Sequence, residues 1–427
     1  MAKSMFQELI KKYFKANAKY FYDKINGSKE EPKYLHDEML DEEFSDDMTY
    51  ESISGDFTRV TADIVAFDSP APIKTRGSIK VASGNIPKMA IKYLLDEKQM
   101  NTLISLSYRP GTQKELVKKI FNDTESAIYG IKERIEQAHL LGFSGGVALI
   151  QNDTNTGTGI RLTYDIPESN KFGVVAPWSN PDAKPIDDIK RVLDQAKRKG
   201  EYPNTIWMDS NILGNLLNND QIKQSFAFSL NFTGSNVPTL SEDQTKDLFK
   251  RIFKLNLRIV DRTFFHEKDG KRVTSQGWTP NMVVFTTGVK VGKKMYSKLA
   301  ESVFRQEHVQ YAEPNNYILL KKDGTTDPVS ERTAAEAIVM PVLQNVDSLF
   351  YLNSEEVNVA DAQTEGDANF AYNGANYTKA SVVAAIKMIN PTSTVTVDSK
   401  DSTLANIINK FNEEQITVFE ANITPAA

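Results

Sequence analysis

From Val117 to Ala138 the residues that can face a core recur in steps of four and three: Val117, Phe121, Thr124, Ile128, Ile131, Ile135 and Ala138. That spacing draws one apolar seam along a helix. Both ends of the helix are marked in the sequence. Thr112 and Glu115 make a capping-box pattern directly after Pro110-Gly111, and Gly142 offers a left-handed stop. About 29 residues at roughly 1.5 Å each reach on the order of 40 Å, which is long for a helix of one compact domain. The stretch predicts a spine helix, 113–141, along which extended chain is laid.

Other segments carry different periods. Residues 4–22 predict an amphipathic helix with Phe6, Leu9, Ile10, Tyr13, Phe14 and Tyr20 on one side and Lys11, Lys12, Lys15 and Lys19 solvated. From Asp37 to Glu51 stand eight carboxylates with no lysine or arginine among them, which predicts an extended, solvated arm with little core of its own. Residues 60–100 alternate β-rich runs with Pro70, Pro72, Gly77, Gly84 and Pro87. They predict a long hairpin whose tip carries Lys74, Arg76 and Lys80, followed by a short helix from Asp96. An isolated hairpin is marginal in water, so it needs another surface to lie on.

Beyond the spine, strands are expected at 145–155 and 160–166, then a mixed lobe. Its helix at 185–199 buries Ile186, Ile189, Val192, Leu193 and Ala196; a strand follows at 204–209, and a helix from Ser210 to Gln224 is capped by Ser210. A helix at 241–253, a hairpin over 257–278 turning at Asp269-Gly270, and a central strand at 281–287 complete the lobe. Strands at 318–321, 337–343 and 348–352 return toward the spine. Residues 361–367 read as a linker, and residues 370–423 as a small β-α-β-α-β module.

Length and charge narrow the choice of partner. A chain of 427 residues exceeds one compact core, so two or three units are expected. A net charge of −5 with 25% charged residues argues against a general nucleic-acid surface. There is no cysteine, which excludes disulfides, thiolate zinc sites and thiol nucleophiles, and with no signal-peptide pattern at the N-terminus this fits a reducing cytoplasm. No run approaches the roughly 18 apolar residues that a membrane span needs.

Catalytic patterns are thin. Ser144 sits in GFSGG, a match to the G-x-S-x-G nucleophile elbow, but an elbow needs a strand before the serine and a helix after it. Here the predicted order is reversed, so the segment reads as a glycine-rich helix exit. His266, Glu267 and Asp269 cluster at a predicted hairpin tip without H-E-x-x-H spacing and read as a polar turn. GVKVGKK at 288–294 lacks P-loop spacing, and no dinucleotide fingerprint follows a strand. No cofactor and no metal is expected, and the chain does not read as an enzyme.

DIVAFDSPAPIKTRGSIKVASGNIPKMAIKYLLDEKQMNTL, the spine helix and the later DPVSERTAAEAIVMPVL resemble, as an ordered succession over residues 50–355, the major capsid proteins of tailed bacteriophages, specifically the phage lambda E-protein family. The resemblance implies an α+β Hong Kong 97-like capsid fold: an N-terminal arm (1–52), an extended hairpin loop (53–98), a peripheral domain on the spine helix (99–166 and 317–360) and an axial domain (167–316). The module at 369–427 lies outside it and is expected to be an added domain.

The implied function is self-assembly into pentamers and hexamers of an icosahedral shell. Such a shell encloses double-stranded DNA without sequence-specific binding, has no membrane, and is built in the host cytoplasm with scaffolding, portal and decoration proteins as further partners. Lys74, Arg76, Lys80, Pro70, Pro72, Gly84 and Pro87 are then the expected subunit-interface residues. Another phage structural part, a tail-tube or portal-associated protein, is the alternative, and a serine hydrolase through Ser144 a distant third.

Overall fold

The computed structural model describes residues 6–27, 34–55, 79–109, 113–150, 160–229, 240–268, 270–357, 369–372, 375–390, 393, 395 and 401–423. The chain forms two compact units, Met1–Asn358 and Val359–Ala427.

In the first unit, α1 (Gln7–Asn26) buries Ile10, Phe14, Ala18, Tyr22 and Ile25, one residue per turn of the helix. Phe14 lies stacked on Phe121, with ring centroids 6.1 Å apart. Tyr20, expected on the buried side, is 61% exposed, because a stripe advancing by four residues carries it out of the interface. Next come α2 (Leu35–Met39) and β1 (Leu40–Phe44). They correct the picture of a solvated acidic arm with little core: β1 pairs in parallel with a later strand, β13 (Gly292–Ser297), and Met39 and Leu40 are buried. Three lysines on or beside β13, some 250 residues away in sequence, make this possible. Lys290 meets Asp41 at 2.6 Å, Lys294 meets Glu42 at 3.4 Å, and Lys293 pairs with Glu43.

The hairpin is also registered differently from expectation. β2 (Thr49–Gly55), drawn from the acidic run, pairs with β3 (Ile79–Asn85) from Thr49↔Asn85 to Gly55↔Ile79. The intervening 56–78, and with them the expected tip, lie outside the described residues. Past Pro87 the chain leaves the hairpin, and β4 (Lys88–Leu95) enters the large sheet instead. Met89 on its inner face is buried while Lys88, Ala90, Lys92 and Leu94 are exposed, the alternation of a strand covered on one side.

α3 (Glu97–Ser107) starts where expected, with Asp96 in a capping box with Gln99. The spine, α4 (Gln113–Gly145), runs past Gly142. Gly142 is not the stop: a Cβ there would lie 2.8 Å from the Tyr164 ring, so this glycine serves close packing. The chain turns instead at Gly146, whose φ is +69° and whose N–H donates to the Gly142 carbonyl at 2.9 Å. Phe121, Thr124, Ile128, Ile131, Ile135 and Ala138 are all buried and Val117 partly so. Thr112 lies outside the described residues.

After the spine come β5 (Val147–Ile150) and β6 (Ile160–Thr163), an antiparallel pair. The mixed lobe then contains β7 (Lys171–Val174), α5 (Pro185–Arg198), β8 (Thr205–Met208), α6 (Ser210–Asn218), α7 (Asp220–Ser229), α8 (Glu242–Phe253), β9 (Asn256–Ile259), the pair β10 (Thr263–Lys268) and β11 (Lys271–Gln276), and β12 (Met282–Thr286). The helix expected from Ser210 is two helices. Asp209, not Ser210, caps the first by accepting the Ile212 N–H at 2.8 Å. The side chain of Asn219 interrupts them, donating to Ala183 O at 2.8 Å and accepting from Ile222 N–H.

The predicted hairpin over 257–278 is likewise divided. β9 joins β8 in parallel, and only β10 and β11 pair with each other. β13 (Gly292–Ser297), α9 (Ala300–Val303), β14 (Gln310–Ala312), β15 (Ile318–Thr326), β16 (Val329–Leu343) and β17 (Phe350–Val357) complete the unit.

Two larger sheets result among the described residues, beside the two-stranded pairs. One has the order β1-β13-β16-β15-β14 with β4 beside β16, and the spine packs on it. The other is β7-β17-β12-β8-β9, with β12 central as its apolar run demands. At Gly292 a Cβ would press on the backbone of Val342 and Leu343, so β13 and β16 approach as closely as only a glycine allows.

The second unit differs from the expected β-α-β-α-β order. Described are a hairpin of β18 (Asn369–Tyr372) and β19 (Ala375–Thr378) and the helices α10 (Lys379–Ile389), α11 (Asp401–Ile408) and α12 (Glu413–Asn422), around Phe370, Val382, Ile386, Leu404, Ile408 and Phe419. The β-branched run Ile416-Thr417-Val418 reads as strand, but Asn412 and Gln415 close a capping box before it and start a helix. The predicted linker, 361–367, lies outside the described residues. Among these residues no helix is long and apolar enough to cross a membrane.

Candidate assembly site and the anchor of the arm

The described part of the hairpin is held at its base. Ile86 N–H donates to Met48 O at 2.7 Å, closing the foot of the stem. Ser52 Oγ donates to Leu343 O at 2.6 Å, and Gln344 Nε2 to Glu51 O at 2.9 Å, fastening β2 to the end of β16. Gly84 stands opposite Tyr50 in the register, and a Cβ there would be 2.6 Å from the Tyr50 hydroxyl oxygen, so the glycine lets the ring lie across β3. Burial raises the Tyr50 hydroxyl pKa.

Of the expected interface residues, Lys80 and Gly84 lie on β3, and Pro87, partly buried, marks the exit to β4. Lys80 is paired with Ser54 as the second residue of β3, so it belongs to the stem and not to a tip cluster. Pro70, Pro72, Lys74 and Arg76 lie outside the described residues.

A second constellation was invisible as a group in the sequence. Glu136, 1% exposed on the spine, accepts three hydrogen bonds from α2: Leu35 N–H and His36 N–H at 2.9 Å and His36 Nδ1–H at 2.7 Å. Asp37 lies between two buried lysines, 2.7 Å from Lys132 on the spine and 2.7 Å from Lys294 on β13. Lys132 also reaches Asn26 at the end of α1. Beside them Glu133 accepts from Tyr34 Oη at 2.8 Å and from Arg262 at 2.6 Å.

The electrostatics follow from crowding. Burial alone would raise the two carboxyls. The charge of His36 and the lysines overcomes it for Asp37, and the hydrogen bonds and charge of His36 do so for Glu136, which is held at about 2. Desolvation lowers the Lys132 ammonium and the His36 imidazole. One signal was present in the sequence: Lys132 and Glu136 follow Ile131 and Ile135 at a four-residue interval, so charge flanks the apolar seam where solvated residues should be far from it.

The elbow pattern does not survive the geometry, and Asp269 of the predicted polar turn lies outside the described residues. Ser144 is fully buried within the spine; its Oγ donates to Leu140 O at 2.7 Å and accepts the Thr279 N–H at 2.9 Å, with Thr279 Oγ1 also 2.9 Å away. It ties the helix end to the segment before β12, and an acyl-donating substrate cannot reach it. His266 Nε2 lies 2.7 Å from Ser275 Oγ and 3.2 Å from Gln137 Nε2, which anchors β10 to the spine. Among the described residues no cluster of histidine and carboxylate side chains could hold a metal ion.

A family model described as phage major capsid protein E matches residues 23–353. The chain belongs to that family: it is a shell-forming structural protein of the phage virion, not an enzyme. No curated protein sequence matches it.

Solved structures of similar chain course include a prophage protein of E. coli CFT073 assigned as its capsid protein (16% identity, 65% of this chain and 79% of that one, TM-score 0.45). A cyanophage A-1(L) capsid (12%, 74% and 90%, TM-score 0.44) and the bacteriophage PhiM1 mature capsid (9%, 77% and 89%, TM-score 0.42) are others. At such scores the family assignment rests on the sequence match.

Proposed function

We propose that many copies of this chain form pentamers and hexamers of an icosahedral shell that encloses double-stranded phage DNA without reading its sequence. The observation that carries the reading is the hairpin of β2 and β3, which among the described residues pairs with no strand of either large sheet and is fastened at its foot to the end of β16. A two-stranded ribbon of this kind is marginal without a surface to cover it, and in a shell that surface is a neighbouring copy.

In this reading 1–52 is the arm, 53–98 the extended loop, 99–166 with 317–360 the peripheral domain, 167–316 the axial domain, and 369–427 an added module. Lys74, Arg76 and Lys80, with Pro70, Pro72, Gly84 and Pro87 shaping the backbone, form the loop's side of the subunit interface. Assembly takes place in the host cytoplasm with scaffolding, portal and decoration proteins as further partners. Many weak identical contacts sum to a stable shell, so no single one has to be strong.

Negative-stain electron microscopy of the purified full-length protein, with scaffold where required, tests the proposal. Closed shells or capsomer rings are the expected result; a chain that stays monomeric at high concentration, with and without scaffold, overturns it.

A further inference from the structure

The contacts that hold Leu35–Met39 down converge on one turn of the spine and one strand. Glu136 takes the two backbone N–H groups and the His36 ring, and Asp37 takes Lys132 and Lys294. Met39 then covers the ring of His139, its Sδ 3.4 Å from His139 Nε2, while Phe143 lies stacked on the same ring at 5.9 Å. His139 is 2% exposed and its Nδ1 has no hydrogen-bond partner. Asp37 and Glu136 face Lys132 and Lys294 here, and a third carboxylate, Glu42, stands at the rim, 3.4 Å from Lys294.

The charged and titratable groups that act on His139 are Glu136 on its own helix, His36 on α2 and Lys294 on β13; Lys132, Asp37 and Glu42 lie one contact further out. A proton on His139 would sit where a thioether and a phenyl ring offer it no good acceptor and where its Nδ1 has no partner.

We propose that residues 34–39 are an acid-sensitive latch: His139 can take a proton only when Met39 lifts from its ring, so falling pH releases α2 from the spine while the rest of the unit, the ladder of β1 on β13 included, stays folded. This goes beyond shell formation and does not depend on how copies are arranged.

Burial holds His139 down at about 4 against an ordinary 6.5; Glu136 opposes that shift, and His36 and Lys294 add to it. The closed state therefore binds fewer protons than the open one. Its advantage is complete above pH 6.5 and shrinks as the pH falls toward 4. Asp37 and Glu136, both held below the usual carboxylate range, keep their charge through that window. The opening equilibrium should accordingly rise about 30-fold from pH 7.5 to pH 5.

Methionine oxidation by hydrogen peroxide reads the latch directly, because Met39 is fully buried and Met208 and Met340 are equally buried elsewhere in the unit. Peptide mass spectrometry on the full-length protein should show Met39 oxidising about 30-fold faster at pH 5 than at pH 7.5, with Met208 and Met340 unchanged. His139→Phe, which keeps a ring but cannot titrate, should remove most of the rise, what is left belonging to His36, whose imidazole burial also lowers and which α2 carries out with it. His139→Gln serves the same purpose if the phenylalanine variant oxidises at Met208 and Met340 and so has lost its fold. An unchanged Met39 rate in the natural protein, a rise shared by Met208 and Met340, or a full rise in the non-titrating variants overturns the latch.

Discussion

The ammonium of Lys322 on β15 donates to the backbone carbonyl of Ile120 on the spine, 2.8 Å away, with neither group reaching water. Thr333 Oγ1 on β16 accepts a second bond at 2.9 Å, and Glu331 and Asp123 supply opposing charge. One lysine thereby locks the spine in rotation and translation against the large sheet. Apolar packing alone would resist sliding less sharply, because dispersion contacts have no preferred direction.

Removing that lysine takes away the donor to the Ile120 carbonyl and a positive charge near the buried Glu331. Lys322→Met should cost about 3 kcal/mol, and Lys322→Met combined with Glu331→Gln should recover most of it. Tryptophan fluorescence during urea unfolding measures this cleanly, since Trp178, Trp207 and Trp278, the only tryptophans, all lie in the first unit. Additive losses in the double variant would show that the two side chains are not a pair.

Glu136 predicts a second, lower pH window, separate from that of His139. Its carboxyl falls from an ordinary 4.5 to about 2 in the folded chain, so its contribution is present above pH 4.5 and lost as the pH falls toward 2. The size is about 3 kcal/mol. Glu136→Gln should flatten the stability profile across that range and lower stability at pH 7 by a similar amount, as read by urea unfolding at stepped pH.

Ser144 should behave as a structural residue. Ser144→Ala leaves the Thr279 N–H without its acceptor, at a cost of about 1–3 kcal/mol in the same unfolding experiment. A fluorophosphonate probe should label neither form. Labelling that disappears in the alanine variant would reopen the hydrolase reading.

Arg76→Glu tests the loop. If its side chain meets carboxylates of a neighbouring copy, one reversed charge repeats at every position around a ring, and even about 1 kcal/mol per site should prevent or deform assembly. The melting temperature of the free subunit should hardly move, because the contact lies between copies. Shells of normal yield and shape from this variant would remove Arg76 from the interface.

Local order was legible wherever one segment contained its own reason. The seam from Phe121 to Ala138, the cap at Asp96, the stripe of α5 and the central apolar run of β12 all appear as their periods and caps dictate. The family was legible too, because an ordered succession of motifs does not depend on knowing their contacts. Partners distant in sequence were not. Asp41 and Glu43 look solvated until Lys290 and Lys293 arrive beside them, and Tyr50 looks like part of an arm until Ile79–Asn85 pairs with its strand.

Gly142 looks like a helix stop until Tyr164 shows that its missing Cβ serves packing. The physical reason is the same in each case. Periodicity and capping act within a few residues, so sequence by itself determined which stretches coil and which extend. Charge compensation, strand register and the burial of His36, Asp37, Lys132 and Glu136 are sums over groups as far as 257 residues apart, and only the tertiary structure, which brings those groups within 3 Å, decided them.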